Sequence, residues 1–147
     1  MSRSRKIGLG LLLLLLLIQF IRREKNVSTD SFEGTDYISQ ERPPAAVARL
    51  IKDVCYDCHS NNSVYPWHAE VAPVSWWITG HINGGKKHLN FSEWKGYPAD
   101  KQKHKLEECV EVTKDGSMPL KSYTWLHPEA RLSDEQREML VAHFGGN

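Results

Sequence analysis

The stretch Cys55-Tyr56-Asp57-Cys58-His59 constrains this chain more than any other. C-x-x-C-H is the spacing used for covalent attachment of c-type haem. Two thiols three positions apart, followed by a bend, can both add to the haem vinyl groups as thioethers. The adjacent His59 imidazole is then held under the iron as an axial ligand. Two other readings of these residues stay open. Half of a zinc site looks the same, but zinc wants four ligands, usually as two matched pairs. The third cysteine, Cys109, has no C-x-x-C or H-x-x-H partner, and His104, five residues before it, is a poor match. A thioredoxin-like thiol pair wants a βαβ context, and no strand alternation appears anywhere in the sequence.

The N-terminus bears on the compartment. Arg3, Arg5 and Lys6 precede an apolar run from Ile7 to Ile21, built mostly of Leu11 to Leu17. A basic segment followed by a short apolar stretch reads as an export signal. Gln19-Phe20-Ile21-Arg22-Arg23 is a poor cleavage site, and no cysteine near the run offers a lipid anchor. The run is shorter than the ~20 residues of a comfortable spanning helix, although snorkelling Arg and Lys or local thinning compensates for such mismatch. Residues 1–25 are therefore expected to act as a signal anchor or, if cleaved, as a signal peptide that leaves the domain exported. Basic residues flank the run on both sides, so the positive-inside rule is close to a tie. The haem motif breaks it, because c-type haem is attached outside the cytoplasm. The expected location is the periplasmic side of a bacterial inner membrane, with the N-terminal helix in that membrane.

The overall charge of +1 hides an asymmetry. Beyond residue 25 the chain holds 13 Lys/Arg against 17 Asp/Glu, a net of −4. A nucleic-acid partner would want a basic stripe, so none is expected. The roughly 120 residues beyond the anchor suffice for one small domain. Five Trp, five Tyr and four Phe supply bulky packing for it.

Residues 26–42 are polar, lack helical periodicity and read as a linker. Pro43-Pro44 then opens a helix, in which Val47, Leu50, Ile51 and Val54 make one apolar stripe leading into Cys55. A helix followed by C-x-x-C-H is the N-terminal arrangement of a cytochrome c fold. Ser60 to Ser63 is a turn cluster, and Tyr65-Pro66-Trp67 brings aromatics towards the haem edge. Pro73 opens a second helix with the stripe Val74, Trp77, Ile78, His81 and Ile82, closed by Asn83-Gly84-Gly85. Lys86 to Asp100 reads as a loop with Phe91, Trp94 and Tyr97 as packing points. Leu106, Cys109, Val110 and Thr113 mark a third helix ended by Asp115-Gly116. The S-x-x-Q box from Ser133 to Gln136 starts a last helix, with Leu140, Val141 and Phe144 inward. The expected fold is all-α: a small cytochrome c-like helical domain over residues 43–147, with long loops, wrapped around one haem.

A second axial ligand is required for a six-coordinate carrier. Ser117-Met118-Pro119 lies in an extended loop just past a glycine, 59 positions after His59. A thioether favours Fe(II) and raises the potential, and the adjacent proline stiffens the loop. Met118 is therefore the expected distal ligand. Met139 lies within the last helix and reads as filler. His81 competes, because an imidazole on an apolar stripe is unexpected, yet a core or haem-edge histidine is the commoner case. The remaining histidines read as surface residues, and Cys109 as a buried, inert thiol.

With these residues in hand, three stretches resemble the bacterial haem-binding domain proteins, small membrane-tethered relatives of cytochrome c frequent in Bacteroidetes. They are CYDCHSNNSVYPW, APVSWWITGHINGGKKHLNFSEW and GSMPLKSYTWLHPEARLS, in this order, and the resemblance spans about residues 43–144. It implies Cys55 and Cys58 as thioether positions, His59 as proximal ligand and Met118 as distal ligand of one covalent haem c. The family pattern often has an aromatic after the Pro-Trp pair, where this chain has His68.

The expected function is periplasmic electron transfer through His/Met-ligated iron, with redox proteins as partners and no catalysis. The main rival is a haem-based small-ligand sensor or peroxidase-like enzyme, with an exchangeable distal site and His81 as a distal acid–base group. A third reading makes haem a folding staple in a structural or assembly protein.

Overall fold

The computed structural model describes residues 2–30 and 34–146, and these form helices joined by loops, with no strand among them. The helices are α1 (Arg3–Leu17), α2 (Tyr37–Glu41), α3 (Ala45–His59), α4 (Val74–His88), α5 (Ala99–Lys114), α6 (Lys121–Leu126) and α7 (Asp134–Gly145). Short 3₁₀ segments cover Ile18–Phe20, Trp67–Glu70, Phe91–Gly96 and Pro128–Ala130. The all-α expectation holds.

The stripe Val47, Leu50, Ile51 and Val54 is wholly buried on α3. Each such side chain is worth about 1.5–3 kcal/mol when fully removed from water. It shares one core cluster with Leu106 and Cys109 of α5 and with Leu140 and Phe144 of α7, which packs against both α3 and α5. Ser133 caps α7 through the reciprocal box with Gln136, as the sequence predicts. Phe91 and Trp94, expected as packing points in a loop, are fully buried on a 3₁₀ segment. Asn90 caps that segment by accepting from the Ser92 N–H.

Four expectations need correcting. The polar stretch before Pro43 is no free linker. Asp36 accepts from the Ser39 N–H and caps α2, which places Tyr37 in the core, edge-on to Trp94 at 5.0 Å between ring centroids. Arg42 ends α2 in the left-handed region at φ 47°. Upstream, Val27 bridges to Asn62, and the Asn26 side chain donates to the Ser60 carbonyl. The linker's expected bounds also include residues 31–33, which lie outside the described residues.

The second correction concerns α4. It runs on through Asn83-Gly84-Gly85 to His88, because Gly85 serves packing and not termination. Thirdly, its expected core stripe is only partly buried. Ile82 is covered, but Val74 and Trp77 remain exposed, and Trp77, Ile78 and His81 line a groove. Fourthly, the stretch after Met118 forms a short helix, α6, that begins three residues beyond it.

At the N-terminus, α1 carries its leucines uncovered, 50–57% exposed from Leu11 to Leu17. Among the described residues no helix is long and apolar enough to cross a membrane. The expected membrane anchor thus gains no support from helix length.

Candidate functional site

Cys55, Cys58 and His59 lie in the last turns of α3, at i, i+3 and i+4, and so share one helix face. The helix stops at His59, and Ser60 turns the chain into extended backbone. Ser60 Oγ accepts from the Asn62 N–H and donates to the Asn62 carbonyl, fixing the turn. All three residues open into a cavity of about 510 Å³, within the ~300–1,000 Å³ of cofactor and ligand sites. Phe91, Leu140 and Phe144 form part of its apolar wall, and Met118 and Cys109 also line it.

His59 is held in a defined state. Its Nδ1 lies 3.0 Å from the Leu89 carbonyl oxygen, which can only accept. The proton therefore sits on Nδ1 and Nε2 keeps its lone pair, the form that ligates a metal. Burial lowers the imidazole pKa, so the ring is neutral near pH 7.

None of the three cysteines is in a disulfide. Burial raises Cys55 well above the ordinary thiol range, with Cys109 and Cys58 adding to the effect. Burial and the Asp57 charge push Cys58 to about 11. Burial, with Glu108, pushes Cys109 to about 12. Cys109 is buried, as expected, but it stands on the wall of the same cavity as Cys55.

The Met118 loop is built from several independent ties. Gly116 takes φ +77°, a value that favours glycine. Asp115 Oδ1 accepts from the Ser117 N–H at 2.7 Å. The Met118 N–H donates to the Val112 carbonyl at 2.9 Å. Arg137 of α7 donates to the Thr113 carbonyl and, at 3.5 Å, to that of Met118. The loop thus brings Met118 and His59 to one cavity. His81, the competing ligand, also lines it, with Nδ1 2.9 Å from its own helix's Trp77 carbonyl.

Three supports escape sequence reasoning. The first is Gly85, where a Cβ would lie 2.6 Å from the Cys58 carbonyl oxygen. α4 can approach the end of α3 only because this residue has no side chain. Gly85→Ala is expected to cost about 1–3 kcal/mol, the usual range for overpacking, and to lower haem loading, as measured by the ratio of haem to protein absorbance. Gly80→Ala, with open space around its Cβ, should leave loading unchanged. The second support is Asp57, whose carboxylate accepts from Tyr123 Oη at 2.8 Å and from the Val64 N–H at 3.0 Å. This joins α3 to α6, the helix that follows Met118. The third is Arg137 itself. Only Gly85 left a trace in the sequence, where it resembles a helix stop.

Among the described residues, no group of three His, Cys, Asp or Glu could hold a metal ion. The zinc reading therefore has no ligand set. An apolar slab-sized cavity with two thiols and a neutral imidazole fits haem instead. No curated protein and no solved structure matches the chain. A family model described as a haem-binding domain matches residues 13–145. That span includes every residue of the cavity wall, and the chain belongs to the haem-binding domain family.

Proposed function

We propose that this haem-binding domain protein carries one haem c, joined covalently to Cys55 and Cys58, and acts as an electron carrier of cytochrome c type. The observation behind this reading is the meeting of His59, Met118 and both thiols in one apolar cavity. When bound, the haem supplies a one-electron iron couple. His59 offers Nε2 because Leu89 holds Nδ1. Met118 offers a thioether on a loop tied at Val112 and Arg137. Phe91, Leu140 and Phe144 give the cavity an apolar wall, which favours little reorganisation on electron transfer. The protein transfers electrons and catalyses nothing of its own, its partners being other redox proteins. The apolar α1 holds it to the periplasmic side of the inner membrane, as a non-cleaved anchor.

Two measurements test this. Intact mass of the purified chain should exceed the sequence mass by one haem, and Cys55→Ser with Cys58→Ser should abolish the increment. The reduced absorption spectrum should be low-spin and unmoved by carbon monoxide. A chain with no added mass removes the covalent reading.

His81 supports a second reading, since it lines the same cavity with one ring nitrogen already engaged. An exchangeable distal site with His81 beside it would bind small ligands or activate peroxide. A spectrum shifted by carbon monoxide would favour this reading over the carrier.

A further inference from the structure

The end of α1 is clamped to the body of the protein. Gln19 Nε2 donates to the Ala72 carbonyl at 3.0 Å, and the Ala72 N–H donates back to Gln19 Oε1 at 2.9 Å. Trp76 Nε1 donates to the Ile21 carbonyl at 2.8 Å. Glu70 pairs with Lys25 and, at 3.9 Å, with Arg22. Three separate ties thus fix the start of α4, and the 3₁₀ segment before it, beside the last turn of the leucine helix.

That corner is also where apolar side chains stay uncovered. Trp67 is 80% exposed and Trp77 47%. Val71 and Val74, which flank the Ala72 clamp, are exposed as well, as is Phe20 at the end of the apolar run. Scattered exposed apolar residues are ordinary, but a cluster marks a contact surface. Three observations name the occupant. The ties at Gln19 and Ile21 set the cluster's chain segment beside the end of α1, whose leucines are also exposed. It is rich in tryptophan, whose ring prefers the boundary between headgroups and acyl chains. Arg22 and Lys25 are held at this corner by Glu70, with Arg23 beside them in the chain, and anionic headgroups attract such basic residues.

We infer that this corner is a bilayer-docking surface. Trp67, Val71, Val74 and Trp77 enter the lipid boundary beside the end of α1 and hold the haem domain against the membrane. The domain is therefore seated with a fixed orientation and does not swing on a linker. This rests on the reading that α1 sits in the bilayer. It assigns a membrane role to residues outside α1.

The test uses the full-length, haem-loaded chain in vesicles of phosphatidylcholine and phosphatidylglycerol. One set carries phosphatidylcholine brominated at the upper acyl chain, which quenches tryptophan only by contact. Flotation reports whether α1 binds lipid, and quenching reports whether the corner does. The expected result is co-flotation with clear quenching. In Trp67→Ser with Trp77→Ser, flotation should persist and the bromine-dependent quenching should fall severalfold. Gln19→Ala should also weaken quenching without releasing the chain. Flotation with no quenching in the unaltered protein overturns the docking surface and leaves the anchor standing. Quenching untouched by the double substitution overturns it too. Failure to float at all removes the anchor reading, and the docking surface with it.

Discussion

Phe91→Ala is expected to destabilise the haem-loaded protein by about 3–5 kcal/mol, the usual cost of truncating a buried phenylalanine. Phe91 is 1% exposed and ties three parts of the molecule together. Its ring stacks on Tyr56 of the C-x-x-C-H stretch, with centroids 5.4 Å apart. It meets Tyr37 of α2 at 5.1 Å and stands edge-on to His59 at 6.4 Å. Alanine would leave a void against all three, and those rings cannot close it without giving up their own hydrogen bonds. Tyr56 Oη donates to Asp36, and Tyr37 Oη pairs with His143. The loss should show as a lower midpoint in guanidinium denaturation with an unchanged slope. Trp125→Ala, at a 77% exposed position, should stay within about 0.5 kcal/mol. A Phe91→Ala midpoint equal to that of Trp125→Ala would show that Phe91 does not secure the cavity wall.

The geometry of the C-x-x-C-H stretch was legible in the sequence because it depends on local spacing. Cys55, Cys58 and His59 needed only the helix period to share a face, and the stripe from Val47 to Val54 supplied that helix. Met118 stood out because a methionine in a loop, just past a glycine and before a proline, has little packing to do, and the fold brings it to the cavity that His59 lines. The supports of those residues were not legible. The Leu89 carbonyl that sets the His59 tautomer is a backbone atom, and no residue type encodes it. Arg137 reads as a surface charge until α7 folds back over the end of α5. Gly85 misled the reading of α4, because a glycine that ends a helix and one that admits a neighbouring backbone look alike in one dimension. The stretch before Pro43 misled for a related reason. Among its described residues Tyr37 is fully buried and Ile38 packs partly against the core, and two adjacent residues show no periodicity.

Met118→Ala should lower the reduction potential by about 0.1–0.3 V, a fraction of the ~0.8 V that axial ligation can span. A thioether stabilises Fe(II) more than Fe(III), so its removal shifts the balance towards the oxidised form. The substitution isolates the side chain, because the loop does not depend on it. The Met118 N–H still reaches Val112, Asp115 still accepts from Ser117, and Arg137 still holds the loop carbonyls. The reduced Met118→Ala protein should also bind carbon monoxide where the unaltered one does not. His81→Ala provides the counterpart on the other side of the question. If Met118 is the ligand, His81→Ala leaves the potential near its original value and Met118→Ala moves it. If His81 has the sixth position, the two results exchange, and the protein becomes a bis-histidine carrier with Met118 as wall. If neither substitution moves the potential but both proteins bind carbon monoxide like the original, the distal position was open from the start. The small-ligand reading would then replace electron transfer.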